Sequence, residues 1–184
     1  MPRMAQDRAW IIAYNGPMAR TSAGLLPYRF DDDGTLLVFI AHMGGPLWAR
    51  RDAGGWSLAK GEYDAGTQQP KQVAATEFAE EIGVAAPSGP WLELGVFWMP
   101  SGKRVTTYAV HAPATLAFVA SNTFEMEWPR GSGRRQQFPE IDAARWFPIE
   151  VAATKVVAGQ VPILHALTER LRDADGDTRL SPTC

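Results

Sequence analysis

Residues 61–84, GEYDAGTQQPKQVAATEFAEEIGV, are the stretch that decides the fold prediction. Pro70 stands where the first turn of a helix would begin, and Gly83 is a typical residue for its end. At about 100° per residue, one side of this helix collects three carboxylates, from Glu77, Glu80 and Glu81. The adjoining side is apolar and is formed by Ala74, Phe78 and Ile82. The segment therefore predicts an amphipathic helix with a carboxylate side and a buried side.

The three carboxylates repel one another, which costs roughly 0.2–0.5 kcal/mol per pair on a helix. No Lys or Arg follows within one turn, and negative charge is unfavourable near the C-terminal end of a helix. A hard divalent cation would compensate, because Mg²⁺ takes oxygen ligands and keeps waters for substrate phosphates. The cluster therefore favours metal-assisted phosphoryl chemistry, and a solvated acidic helix side is the alternative.

The composition narrows the classes of protein. The chain has 184 residues, is 46% hydrophobic and carries a formal net charge of -2. These values predict one globular domain and disfavour a dedicated nucleic-acid binder. The single cysteine, Cys184, excludes a disulfide framework and a cysteine-based zinc site. No apolar run reaches the roughly 20 residues that span a bilayer, so we expect a cytoplasmic protein.

Apolar runs separated by turns predict a mixed sheet. Strands are expected at Thr21–Phe30, 36–41, 92–98, Arg104–His111, 116–119 and 143–147, with a further candidate at 123–128. A loop is expected over 129–139, and late helices over 149–157 and 160–172. The order of elements predicts the α/β class, as an α/β/α sandwich with a mixed β-sheet between helices.

Residues 61–84 resemble the Nudix box, the motif of the Nudix hydrolase superfamily. The second half of the pattern matches at Glu77, Phe78, Glu80, Glu81, Gly83 and Val84. The lead-in WSLAKGE, residues 56–62, is similar to the usual approach to the box. The chain is therefore identified as a member of this superfamily, in a bacterial subgroup with a divergent box. We expect an N-terminal extension over 1–18, the Nudix domain over 19–172 and a polar tail over 173–184.

The first half of the box departs from the family pattern. The spacing from Gly61 to Glu77 is one residue longer than in the family. The early Glu is replaced by Thr67 or Gln68, and the box Arg is replaced by Thr76. In the family, that Glu and Arg brace the loop against the helix, whereas the later glutamates bind metal. Losing both removes an ion pair together, so the resemblance implies weakened activity and not its loss.

The resemblance implies an enzyme in which water attacks one phosphorus of a pyrophosphate. The implied substrate is a nucleoside diphosphate derivative, such as a dinucleoside polyphosphate, ADP-ribose or an NTP-like nucleotide. The implied cofactor is Mg²⁺ or Mn²⁺, held by Glu77, Glu80, Glu81 and the backbone carbonyl of Lys60. The candidate catalytic residues are these three glutamates and the later Glu140.

Basic and aromatic residues are candidates for substrate contacts. The Lys60 side chain is a candidate phosphate contact, with an ordinary surface lysine as the alternative. Three arginines flank a Gly-Ser-Gly loop and are candidates for holding a polyphosphate tail: Arg130, Arg134 and Arg135. Trp48 and Trp98 are candidates for stacking on a nucleobase, although most tryptophans serve packing.

A competing hypothesis is a Nudix-fold binding or regulatory module with little or no turnover. The missing box residues favour it, and the retention of all three glutamates favours the hydrolase. In either case we expect a small-molecule nucleotide partner, no membrane, no nucleic acid, and a monomer or homodimer.

Overall fold

The computed structural model describes residues 20–180, with side chains described through residue 174. The predicted extension over 1–18 and the last four residues of the predicted tail, 181–184 with Cys184, lie outside these residues. The strands are β1 (Thr21–Phe30), β2 (Leu36–Met43), β3 (Trp56–Ser57), β4 (Ala59–Tyr63), β5 (Trp91–Trp98), β6 (Arg104–His111), β7 (Thr123–Glu127), β8 (Arg135–Pro139) and β9 (Ile141–Pro148). The helices are α1 (Pro70–Ile82), α2 (Ile149–Lys155) and α3 (Val161–Leu180).

A seven-stranded mixed sheet forms the centre of the molecule. Its main path runs β3-β2-β1-β6-β5, with β4 paired to β1 and β9 paired to β2. Strands β1 and β6 are parallel, and the other pairs of this sheet are antiparallel. One edge of β1 is shared, because its first half pairs with β4 and its last residues pair with β2. The sheet therefore forks between β2 and β4.

Two buried clusters cover the two faces of the sheet. Successive strand residues point to opposite faces, so Phe39 joins one cluster while Val38 and Ile40 join the other. Helix α1 contributes Val73, Ala74, Phe78 and Ile82 to the first cluster. Helices α2 and α3 contribute Ile149, Ala152, Ile163, Leu164 and Leu167 to the second. The predicted α/β/α sandwich is confirmed.

Helix α1 has the bounds that its sequence predicts. Pro70 lies in the first turn, where its missing N–H is not needed. Gly83 ends the helix with φ +81°, a conformation that favours glycine, and its N–H donates to the Ala79 carbonyl. The buried side is the predicted one, with Ala74, Phe78 and Ile82 in the core.

Three local predictions are wrong. Residues 116–119 form no strand; instead the Val119 N–H donates to the Ile82 carbonyl at 2.9 Å and closes the end of α1. The expected loop over 129–139 contains β8, which becomes a strand by pairing with β7 in a separate hairpin. The last helix starts at Val161 and continues to Leu180, beyond the predicted end at 172.

No helix within residues 20–180 combines the length and apolar character needed to cross a membrane.

Candidate active site

The carboxylate side of α1 lies against β4, the strand that carries Lys60 and Gly61. The Lys60 backbone N–H donates to Glu81 Oε2 at 3.0 Å. This charge-assisted hydrogen bond fixes the Glu81 carboxylate over the strand. Helix and strand are therefore joined through a predicted site residue.

Glu77 packs its carboxylate directly on Gly61. A Cβ added to Gly61 would collide with the carboxylate carbon and both oxygens of Glu77. The box begins with a glycine because only a residue without a side chain leaves room for this approach. Gly61 and Glu77, the two ends of the lengthened spacing, thus meet despite the extra residue.

A cavity of about 250 Å³ opens at the fork of the sheet, and we call it the glutamate cavity. Four predicted site residues line it: Trp48, Lys60, Glu81 and Glu140. The other lining residues are Met43, Gly44, Ser57, Leu58, Phe124 and Ile141. Side chains far apart in the sequence are therefore brought around one space.

Backbone hydrogen bonds hold Glu140 at the rim of this cavity. Its N–H donates to the Asn122 carbonyl at 2.8 Å, and its carbonyl accepts from the Gly44 N–H at 2.7 Å. The Glu140 side chain is exposed at the point where the hairpin returns to the sheet. The late carboxylate is thus tied to both the hairpin and the end of β2.

Burial and mutual repulsion raise the pKa values of two glutamates. Burial, followed by repulsion from Glu77 and Glu140, raises the pKa of Glu81 to about 7, against the opposing effect of Lys60. Burial, Glu80 and Glu140 likewise raise the pKa of Glu77. Burial lowers the pKa of Lys60, and its attraction to Glu81 opposes that shift. The cavity therefore holds more negative charge than its one lysine offsets.

The donor set fits a hard divalent cation. Carboxylate oxygens are the ligands that Mg²⁺ and Mn²⁺ accept, and a cation would relieve the repulsion that raises these pKa values. Within residues 20–180, no three acidic, histidine or cysteine side chains meet at the spacing of a formed metal site. Glu80, the third carboxylate of this side of α1, is exposed. The side chains would move to close around an ion.

The structure separates other predicted contacts from the glutamate cavity. Arg130 and Arg134 lie in the loop that connects β7 and β8, while Phe124 and Phe138 lie near the base of that hairpin. Arg135 pairs with Glu125 across the hairpin at 2.7 Å. Trp98 is 63% exposed on the edge strand β5. None of these four residues lines the cavity, so their substrate roles gain no support from geometry.

The residues that replace the box Glu and Arg surround a second space. Thr67, Gln68 and Thr76 line a cavity of about 260 Å³, together with Gln69, Gln72, Val73 and Glu77. Gln68 Oε1 accepts the Asp64 N–H at 2.9 Å, which holds the loop in place of the missing ion pair. The loop brace is therefore smaller and uncharged in this chain.

Residues 18–167 match the NUDIX domain family. This chain is a member of the NUDIX family. Members of this family are typically hydrolases that act on pyrophosphate bonds of nucleotide derivatives. The Nudix identification is thus confirmed. A comparison with curated proteins found no match to the chain.

Solved structures with the Nudix fold include the NUDIX domain of NrtR from Shewanella oneidensis, in complex with ADP-ribose. It is 16% identical with a TM-score of 0.55, over 85% of this chain and 90% of that one. An Ap4A hydrolase from C. elegans is also 16% identical, with a TM-score of 0.53, over 83% of this chain and 98% of that one. A mutT/nudix protein from Listeria innocua is 15% identical, with a TM-score of 0.54, over 84% and 95%. At these identities the likeness establishes the fold.

Sequence reasoning missed Phe124 as a lining residue of the glutamate cavity in this Nudix protein. Phe124 also packs against Phe138, with ring centroids 6.2 Å apart, and approaches Gly45. A possible signal was the alternation of Thr123–Glu127, which places Phe124 and Met126 on one side of the strand. The sequence did not reveal that β7 pairs with β8, so it could not show that this side of the strand faces the glutamate cavity.

Proposed function

We propose that this Nudix protein is a metal-dependent pyrophosphohydrolase that cleaves the pyrophosphate of a nucleoside diphosphate derivative. One observation carries the proposal: the glutamate cavity joins Glu81, Glu140 and Lys60 beside an aromatic wall. The carboxylates could bind a metal ion and accept a proton from water. The lysine could contact a phosphate, and the aromatic wall could stack on a nucleobase. We expect a small-molecule substrate, action in the cytoplasm, and a monomer or homodimer.

Three side chains would prepare the reacting groups. Glu81 is oriented by the Lys60 N–H, so its free oxygen can accept a proton from the attacking water. Glu140 stands at the cavity rim as a second acceptor, and the Lys60 ammonium can contact a phosphate oxygen. The water oxygen forms a bond to one phosphorus while the bridging P–O bond breaks, and the bridging oxygen leaves with the other phosphate.

Glu77, Glu80 and Glu81 would hold the Mg²⁺ or Mn²⁺, with the Lys60 carbonyl as a further candidate ligand. When bound, such an ion lowers the pKa of water and neutralises charge that develops on phosphate oxygens. The packing of Glu77 on Gly61 limits how far this carboxylate can turn. That restraint favours one ligand geometry.

Trp48 and Phe124 would form the base-binding wall. Both line the glutamate cavity, and Trp48 is partly buried with its ring already covered by the Arg51 guanidinium at 5.5 Å. Aromatic rings recognise bases by stacking, with little demand on base identity. The two aromatic rings line the same cavity as Lys60 and Glu81, so the expected substrate has a base close to its pyrophosphate.

A nucleotide-binding module with little or no turnover is the second candidate. Two observations favour it: the uncharged brace at Thr67, Gln68 and Thr76, and the spacing of the carboxylates, which form no ready metal site within residues 20–180. In that case the same cavity would bind nucleotide without hydrolysis.

The test is hydrolysis of a dinucleoside polyphosphate, ADP-ribose and an NTP, each with Mg²⁺, with Mn²⁺ and with EDTA. We expect metal-dependent turnover of at least one, and a loss of about 10²-fold or more in Glu81→Gln. The amide oxygen can still accept the Lys60 N–H, so the fold is retained. The matched control is Glu150→Gln, an exposed glutamate on α2, which should match the wild type. Nucleotide binding without turnover in the wild type would overturn the hydrolase in favour of the binding module.

A further inference from the structure

A third cavity, of about 440 Å³, is lined in part by residues 49–52 of the segment 44–55, which also contributes Gly44 and Trp48 to the glutamate cavity. We call it the arginine cavity, because Arg50, Arg51 and Arg145 line it. Its other lining residues are His42, Ala49, Asp52, Trp56, Asp142 and Ala143. The volume lies in the range of about 300–1,000 Å³ that is typical of small-molecule sites.

The three guanidinium groups are available to a ligand. Arg50, Arg51 and Arg145 are exposed, and none forms an ion pair with another residue of the described range 20–180. Arg51 rests on the Trp48 ring, a contact that leaves its N–H groups free to donate. Three unpaired arginines around one cavity make it electropositive.

The two carboxylates of the arginine cavity are already engaged. Asp52 accepts from the Lys155 ammonium at 2.6 Å and 2.7 Å, and from Trp56 Nε1 at 3.0 Å. Asp142 contacts His42 Nδ1 at 2.6 Å. Lys155 offsets the charge of Asp52, so the three arginines face one further carboxylate, Asp142, and the cavity keeps a net positive charge.

The walls of this cavity are fixed by hydrogen bonds. His42 joins strand β9 to the segment 44–55, because its Nε2 contacts the Arg51 carbonyl at 2.8 Å while Nδ1 contacts Asp142. The Trp56 ring packs edge-on against His42 and forms a buried floor. Hydrogen bonds therefore hold the backbone from which the arginine side chains extend.

We propose that the arginine cavity binds a phosphorylated small molecule at a site separate from the glutamate cavity. Guanidinium groups donate paired N–H groups that match phosphate oxygens, and three of them suit a ligand with more than one phosphate. The inference does not rest on hydrolysis, because the two cavities share no lining residue. Arg51 links the two sites, since it lines the arginine cavity while its guanidinium covers Trp48.

The test is calorimetric titration of the full chain with tripolyphosphate in EDTA at low salt. Without divalent cations the carboxylates of the glutamate cavity repel a polyanion, so binding reports on the arginine cavity. We expect saturable binding of one equivalent, weakened about tenfold or more in Arg50→Gln and in Arg145→Gln. Both residues are exposed, so both variants should fold.

Two control variants locate the binding. Arg134→Gln removes one exposed arginine from the hairpin loop and should leave the affinity unchanged. Lys60→Gln removes the cation of the glutamate cavity and should also leave it unchanged. Absence of saturable binding to the wild type, or equal weakening in Arg134→Gln, would overturn the proposal. Weakening in Lys60→Gln but not in Arg145→Gln would assign the anion to the glutamate cavity and overturn it as well.

A second titration with ATP, under the same conditions, identifies what is recognised. Equal affinities for ATP and tripolyphosphate would support recognition of the phosphates alone. Tighter binding of ATP that depends on Arg145 would support a nucleotide ligand at the same site.

Discussion

The segment 44–55 contributes residues to both the glutamate cavity and the arginine cavity, and the two cavities differ in the charge of the side chains that line them. At the glutamate cavity, burial and repulsion by neighbouring carboxylates raise the pKa of Glu81, and the same causes raise the pKa of Glu77 beside it. In the arginine cavity, the acids have partners and exposed arginines remain unpaired within residues 20–180. The difference shows that excess charge of either sign can be kept, at a cost in stability when it is buried and at little cost when it is solvated.

The largest expected effect concerns the pH dependence of the metal-free protein. The native pKa of Glu81 is about 7, above the ordinary 4.5, so its contribution to stability is full below pH 4.5 and is lost as the pH rises through about 7. The free energy of unfolding should therefore fall by of order 3 kcal/mol across this window, measured by urea unfolding in EDTA.

Glu81→Gln should remove this slope, whereas Glu150→Gln on α2 should keep it. Adding Mg²⁺ should stabilise the wild type more at pH 8 than at pH 5.5, because a cation competes with the proton for the carboxylate. If Glu81→Gln keeps the same pH dependence of the free energy of unfolding, the burial of Glu81 is not its cause.

The second largest effect should come from a single methyl group placed against the carboxylate side of α1. Gly61→Ala places Cβ against the Glu77 carboxylate, the flexible end of a side chain, which would turn away. We expect about tenfold lower kcat/KM with little change in Tm, since a displaced ligand costs more activity than stability. Gly66→Ala is the control, because among the described residues 20–174 a Cβ added there would closely approach only Asp64 Oδ1, at 3.3 Å. Equal losses in both variants would contradict a specific role for Gly61.

In the arginine cavity, His42→Phe should have a smaller effect. The ring contact with Trp56 is kept, but the two hydrogen bonds to Asp142 and the Arg51 carbonyl are lost. We expect a loss of about 1 kcal/mol in the free energy of unfolding and weaker tripolyphosphate binding. His111→Phe keeps a ring against Tyr28 and should change neither value by more than a few tenths. Unaltered tripolyphosphate affinity in His42→Phe would show that binding by the arginines does not depend on the hydrogen bonds of His42.

The smallest effect should come from restoring the family's charged brace. Gln68→Glu keeps an acceptor for the Asp64 N–H, and Thr76→Arg places a guanidinium in the same cavity. The double variant should gain about 0.2–1 kcal/mol in unfolding free energy beyond the sum of the single changes. Additive single effects would indicate that the two side chains do not meet.

Local signals made α1 predictable, while long-range pairing hid other elements. Pro70, Gly83 and the apolar side of the helix act within a few residues, so both ends of α1 agree with the sequence. Strand β8 depends on β7 for its hydrogen bonds, and its polar sequence carried no sign of that partner. Residues 116–119 are apolar enough for a strand, but their backbone bonds to the end of α1.

Four of the residues that line the glutamate cavity are ones that the sequence singles out, whereas the shape of the cavity was not predictable. The carboxylates and Lys60 follow from the box and its lead-in, because they lie within one contiguous segment. The position of Glu140 depends on the register shift between β2 and β9 near Met43, which no local pattern encodes. The arginine cavity was missed because its arginines come from the segment 44–55 and from β9, which meet only in the folded sheet.

The parallel pairing of β1 with β6 has a consequence for how the molecule folds during synthesis. Strand β1 emerges early, but its register with β6 joins Thr21 to Arg104, so one edge of the central strand waits for a late segment. Closing such a distant contact costs chain entropy before it is rewarded, and proteins rich in such contacts fold slowly. The helix with the glutamates packs mainly on β1 and β4, which both precede it in the chain, and makes only a minor contact with β6. The core under this helix can therefore begin to form during synthesis, while the other edge of β1 stays open until β6 has been made.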